Sequence, residues 1–159
     1  MDIVGVIVVS LHVAATVVLL GHYVLMRLVD LPVAERQLRA PSVGPMLEAT
    51  ERRALPWLAA ALAVLVATGG YLLVTSPRFT GFGQLASTWS VLLFVKHVLI
   101  LAIVGIVAVF DLVLLGDLSA AVDDSRRTSA MRRVRWALDA LVLLGAAVIV
   151  LTAAAQASP

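Results

Sequence analysis

Residues 88–116 read TWSVLLFVKHVLILAIVGIVAVFDLVLLG. From Val98 to Phe110 no side chain is polar. The apolar run exceeds the ~20 residues that a helix needs to cross the hydrocarbon core of a bilayer. A surface helix of a soluble protein would show a polar stripe over this length, and none is present. Working outward, three further runs have the same character, at about 3–29, 55–75 and 134–155. The expected fold is therefore all-α: an integral membrane four-helix bundle with both termini outside, occupying residues 1–159 as a single domain.

The composition agrees. The chain has 159 residues, of which 62% are hydrophobic and 14% charged, and its mean hydropathy is +1.05. A soluble domain is about 45–50% apolar and about 25% charged. Cysteine is absent, which excludes disulfides, thiolate catalysis and iron–sulfur clusters. The apolar run from Ile3 continues to about Val29. It is too long for the core of a cleavable signal and is read as the first span.

Net charge is +2 with a pI near 9.7. This does not point to nucleic acid, because the arginines flank apolar spans. Arg36, Arg39, Arg52 and Arg53 crowd the segment 30–54, and Arg126, Arg127, Arg132 and Arg133 crowd 117–133. The segment 76–87 carries only Arg78. By the positive-inside rule the first and third connections face the cytoplasm of a bacterial-type inner membrane. Pro32, Pro41 and Pro45 are expected to break the first connection into short pieces, and Pro56 to sit in the first turn of the second span. Phe79 and Phe82 mark the second connection as a cover over the outer half or an interfacial anchor. No internal repeat is asserted from the residue types.

Ionisable residues inside a span are costly and point to function. All three histidines lie in spans, and the single lysine, against eleven arginines, is Lys96. A helix rises ~1.5 Å per residue, which places His12, Lys96 and His97 at similar depth in the outer half. His22 lies roughly 15 Å deeper, with Arg27, Asp111 and Asp139 near the same inner level. At 100° per residue, Lys96 and His97 point to different sides of their helix. Two histidines at matched depth, His12 and His97, can ligate a haem iron or a metal ion. The plainer alternative is that each bonds a carbonyl or a threonine. Lys96 can bind a carboxylate or a propionate as the catalytic or anion-holding group, or can snorkel to the interface. Asp111 and Asp139 can form a proton path or, as the plainer reading, an ion pair with Arg27, and His22 is read as a hydrogen-bonded or proton-handling residue.

These residues also carry a resemblance. Ser10-Leu11-His12 opens a span that continues to Gly21 and Arg27. Thr68-Gly69-Gly70 stands late in the second span, and Thr88-Trp89-Ser90-Val91-Leu92-Leu93-Phe94-Val95-Lys96 opens the third. This order resembles the CopD-type copper-resistance membrane domain and is similar to the HemJ-type protoporphyrinogen oxidases. The resemblance implies a four-helix core, a functional His12, a functional Lys96 and a bound b-type haem. His97 lies outside the family pattern, and Leu19-Leu20-Gly21-His22 stands where the family often has Trp-x-Gly-Gly.

The reading that follows is a small membrane protein that binds haem b and carries out redox chemistry in the outer half of the bilayer, with quinol or a porphyrin as partner. If it is an enzyme, it is an oxidoreductase. The alternatives are CopD-like copper transport or delivery, HemJ-like protoporphyrinogen oxidation, and an accessory subunit of a larger membrane complex; a homodimer fits the Gly-rich faces. Copper(I) favours Cys and Met ligands, and this chain has no Cys and four Met.

Overall fold

The computed structural model describes residues 3–77 and 87–157. Four helices long and apolar enough to cross a membrane make up the described chain: α1 (Ile3–Gln37), α2 (Ala40–Val74), α3 (Thr88–Ser119) and α4 (Asp124–Ala157). They alternate in direction, so Ile3 and Ala157 lie at the same end of the bundle, and the described residues contain no strand. The readings made on Arg78, Phe79 and Phe82 fall outside the described residues.

The helices run past the spans read from the sequence, and prolines explain why. Pro32 does not break the chain. It lies just after a π-helical turn, Met26–Asp30, which widens α1. A proline ring crowds the carbonyl four residues earlier, here Leu28, and a π turn is a standard way to relieve that crowding. Pro41 occupies the first turn of α2, where its missing N–H costs nothing. Pro45 and Pro56 lie inside α2. The expected Pro-broken connection is thus reduced to Leu38 and Arg39, and Pro56 is an interior residue, not a helix start. Packing against α1 and α3 holds α2 helical across them. At the other side, Ser87 caps α3: its hydroxyl accepts from the Ser90 amide at 3.2 Å, and Ser90 Oγ accepts from the Ser87 amide at 3.1 Å.

α1 packs along α2, and α3 along α4; the two hairpins join through the end of α3 on α2 and through α1 on α4. The hairpins are repeats of one another. π turns open at Met26 and at Phe110. The same offset carries the start of α2 at 40 onto the start of α4 at 124. It also sets Ala63-Val64-Leu65-Val66-Ala67-Thr68 against Ala147-Val148-Ile149-Val150-Leu151-Thr152. Thr68 donates to the Val64 carbonyl at 2.6 Å, and Thr152 to the Val148 carbonyl at 2.8 Å. Under this offset His12 matches Lys96 and Gly21 matches Gly105.

The buried core lies at the arginine-rich end. Met26, Leu31, Leu47, Phe110, Leu115, Val134, Leu138 and Leu141 are almost fully enclosed there. Towards the other end the bundle loosens, and Thr88–Val109 of α3 bury no residue. Trp57 and Trp136 lie exposed on the outside. Ion pairs tie down the arginine-rich end: Arg135 with Glu35, Arg133 with Asp117 at 3.2 Å and Arg127 with Asp124 at 2.7 Å.

Gly44 sets the closest approach of two backbones. A Cβ there would lie 2.9 Å from the Ser119 amide nitrogen and 3.0 Å from the Leu118 carbonyl carbon. Neither atom can yield without moving a helix. Gly44→Ala is expected to destabilise the bundle by about 1–3 kcal/mol, read as a lower thermal midpoint in detergent. Gly21→Ala, with no atom within 4 Å of its added Cβ, should leave the midpoint unchanged.

Candidate functional site

The bundle holds two polar groups at different depths. The first is built on α1 and α2. His12 Nδ1 lies 2.9 Å from Thr68 Oγ1. A hydroxyl has one proton to give, and that of Thr68 goes to the Val64 carbonyl at 2.6 Å. Thr68 Oγ1 is therefore placed to accept from His12 Nδ1, an arrangement that favours the Nδ1–H tautomer. Gly69 makes room for the ring: a Cβ there would lie 3.2 Å from His12 Cε1. His12 is half-buried. Thr68 is 8% exposed, so its hydroxyl is a fixed anchor.

α3 presents Lys96 and His97 differently. Lys96 is half-buried, and its charge acts on His12. His97 is exposed on the outside of the bundle, with Nδ1 2.7 Å from the Leu93 carbonyl of its own helix. The structure thus leaves Lys96 half-buried on α3 and His97 exposed beside it.

The second group lies below, near the π turns. His22 Nε2 is 2.6 Å from Glu51 Oε2, and the Tyr23 hydroxyl donates to Glu51 Oε1 at 3.4 Å. Asp111 lies in the π turn of α3 directly after Phe110, whose ring stands edge-on to Tyr23, and the Tyr23 hydroxyl reaches Glu51, so the two carboxyl groups share one neighbourhood. Its Oδ1 is buried, with no hydrogen-bond partner among the described residues. Arg27 forms a two-pronged pair with Asp139 on α4, Nε to Oδ1 at 2.6 Å and an Nη to Oδ2 at 3.2 Å. Asp111 is therefore not Arg27's partner.

Glu51 is the residue that sequence reasoning missed. A second span that opens at residue 55 leaves Glu51 outside it, in the charged segment 30–54. Glu51 is 4% exposed. The signal was present in the spacing: Val43, Leu47, Glu51, Leu58, Ala61 and Thr68 are the buried positions of one helix face. A carboxylate on that stripe is enclosed by the same geometry that encloses its apolar neighbours.

Two grooves lie elsewhere. One, of about 580 Å³, runs between α3 and α4 and is lined by Ala102, Gly105, Ile106, Val109 and Trp136. The other, of about 490 Å³, lies at the arginine-rich end between Glu35, Arg127, Arg132 and Arg135. Among the described residues, no group of three His, Cys, Asp or Glu side chains is placed to hold a metal ion. A ligand at His12 would therefore take one imidazole from the protein and an ammonium beside it. Set against known proteins, the chain matches no family model, no curated protein and no solved structure.

Proposed function

We propose that this protein is a small redox protein of the bacterial-type inner membrane that holds a b-type haem between the outer halves of its helices. His12 would hold the haem iron through its imidazole. The observation that carries this reading is the 2.9 Å contact of His12 Nδ1 with Thr68 Oγ1, whose own proton has an acceptor in the Val64 carbonyl. An imidazole whose Nδ1–H is held by a buried acceptor presents its other nitrogen as a ligand, the arrangement found behind most metal-bound histidines. The donor chemistry fits a haem: a ring held on one side, a glycine beside it and a single cation nearby. Lys96 supplies the charge for a propionate. The open, apolar outer halves of α1 and α3 supply surface for a flat macrocycle. The resemblance to CopD-type and HemJ-type proteins selects the same two residues.

When bound, haem supplies one-electron transfer, and quinol or a porphyrin is the natural membrane partner. The chain's own part is to hold the ligand ring through Thr68 and to place the Lys96 ammonium. The positive-inside rule puts the arginine-rich end in the cytoplasm and the His12 group in the outer half. Copper delivery is served less well, because one imidazole and an ammonium make a poor set of donors for copper(I).

The test is an absorption spectrum of the detergent-purified protein, oxidised and dithionite-reduced, after expression with ample haem. We expect a Soret band with sharpened α and β bands on reduction, lost in His12→Ala and kept in His97→Ala. Absence of a Soret band in the unaltered protein would sink the haem reading. Loss in both variants would mean that His97 turns inward to complete a bis-histidine pair, against its exposed position.

A further inference from the structure

The hairpin repeat exposes an imbalance of charge. Under the offset that carries Met26 to Phe110, Arg27 corresponds to Asp111 and Glu51 to Arg135. The fold thus carries two related junctions: α1 meets α4 with two arginines, and α2 meets α3 with two carboxyl groups. The arginine junction is neutralised, Arg27 by Asp139 and Arg135 by Glu35. The counterparts of those partners at the other junction are Leu55 and Ser119, neither of which carries charge.

The groups that face Glu51 and Asp111 are His22 and Tyr23 from α1. On α4, Asp139 and Arg135 are committed to the pairs above. With both carboxyls ionised and His22 neutral, the cluster would hold two negative charges inside a membrane bundle, with no cation paired to them among the described residues. Like charges this close in a place of low dielectric do not both ionise; one takes a proton. The unpartnered, buried Oδ1 of Asp111 is an oxygen at which such a proton can reside.

We propose that Glu51 and Asp111, framed by His22 and Tyr23, form a proton-binding site that holds one exchangeable proton between the two carboxyl groups at neutral pH. His22 is the route of exchange. It reaches Glu51 directly, and its side chain keeps 16% of its surface exposed, against 5% for Glu51. The site is independent of the haem reading, since it uses none of the residues around His12.

Infrared spectroscopy of the full chain in lipid nanodiscs tests it. A protonated carboxyl group shows a carbonyl stretch that moves on exchange into D2O and disappears on titration to high pH. We expect one such band at neutral pH. It should be lost in Asp111→Asn and in Glu51→Gln and retained in Asp139→Asn, with helix content checked by circular dichroism. If one variant fails to fold, the other suffices. A band that survives in a folded variant overturns the proposal, as does absence of the band with His22 protonated instead by NMR. Loss of the band on adding sodium or calcium salt at fixed pH would assign the site to a metal cation and overturn it too.

Discussion

Replacing Phe110 by alanine is expected to cost about 3–5 kcal/mol of stability, the range for a large aromatic removed from a packed core. Phe110 is fully enclosed and stands edge-on to Tyr23, with ring centroids 6.2 Å apart and planes at 88°. Its loss would leave a void between α1 and α3 and release Tyr23, whose hydroxyl donates to Glu51. The damage would therefore reach the buried carboxyl cluster as well as the core. Unfolding by denaturant in mixed micelles reads the effect. Phe110→Leu, which keeps most of the volume, should cost less than about 1.5 kcal/mol. A loss below about 1 kcal/mol for the alanine variant would show that the π turn collapses to fill the space.

The Arg27–Asp139 pair should show opposite behaviour for single and double replacement. Arg27→Leu leaves Asp139 bare, and Asp139→Leu leaves Arg27 bare. A lone charge costs about 2.5–3.5 kcal/mol at the centre of a membrane helix and less towards its end. Each single change should thus destabilise the bundle by about 2 kcal/mol. The double change removes both charges from a half-exposed pair on membrane helices and should fall close to the original stability, since neither charge is then left without its partner. The same unfolding measurement decides. Additive losses in the double variant would mean that the two residues act through other partners.

Much of the architecture was legible because lipid is a strict solvent. It demands long apolar runs, and residues 88–116 and their three counterparts supply them. Helix ends were not legible, because prolines that stop a helix in water are absorbed here by a π turn at Met26–Asp30 and by packing along α2. The repeat was hidden because the offset pairs unlike residues at the most informative places, His12 with Lys96 and Arg27 with Asp111. The matching π turns and helix starts set the offset, and the segments 63–68 and 147–152 then fall into line. Within the sites, helix rise alone sets His22 and Asp111 at one level, and the 100° step separates Lys96 from His97. Which side of α3 faces the bundle, and that Glu51 closes the inner cluster, depend on how the hairpins dock.

The length of the helices has a consequence for how the molecule holds together. A helix of 35 residues such as α1 extends roughly 50 Å, well beyond a hydrocarbon layer about 30 Å thick. The surplus emerges at the arginine-rich end, where Leu31, Ala34, Val43, Leu47, Leu115, Leu118, Ala130 and Val134 form the dense core. The protein is thus assembled in two media. Its projecting headpiece is closed by the expulsion of water, as in a soluble four-helix domain. The lipid-embedded half has no such force and relies on close packing and a few polar contacts. Urea acts on the first and barely reaches the second. The headpiece is then a clasp that keeps the two hairpins in register where the lipid-facing half is loosely packed.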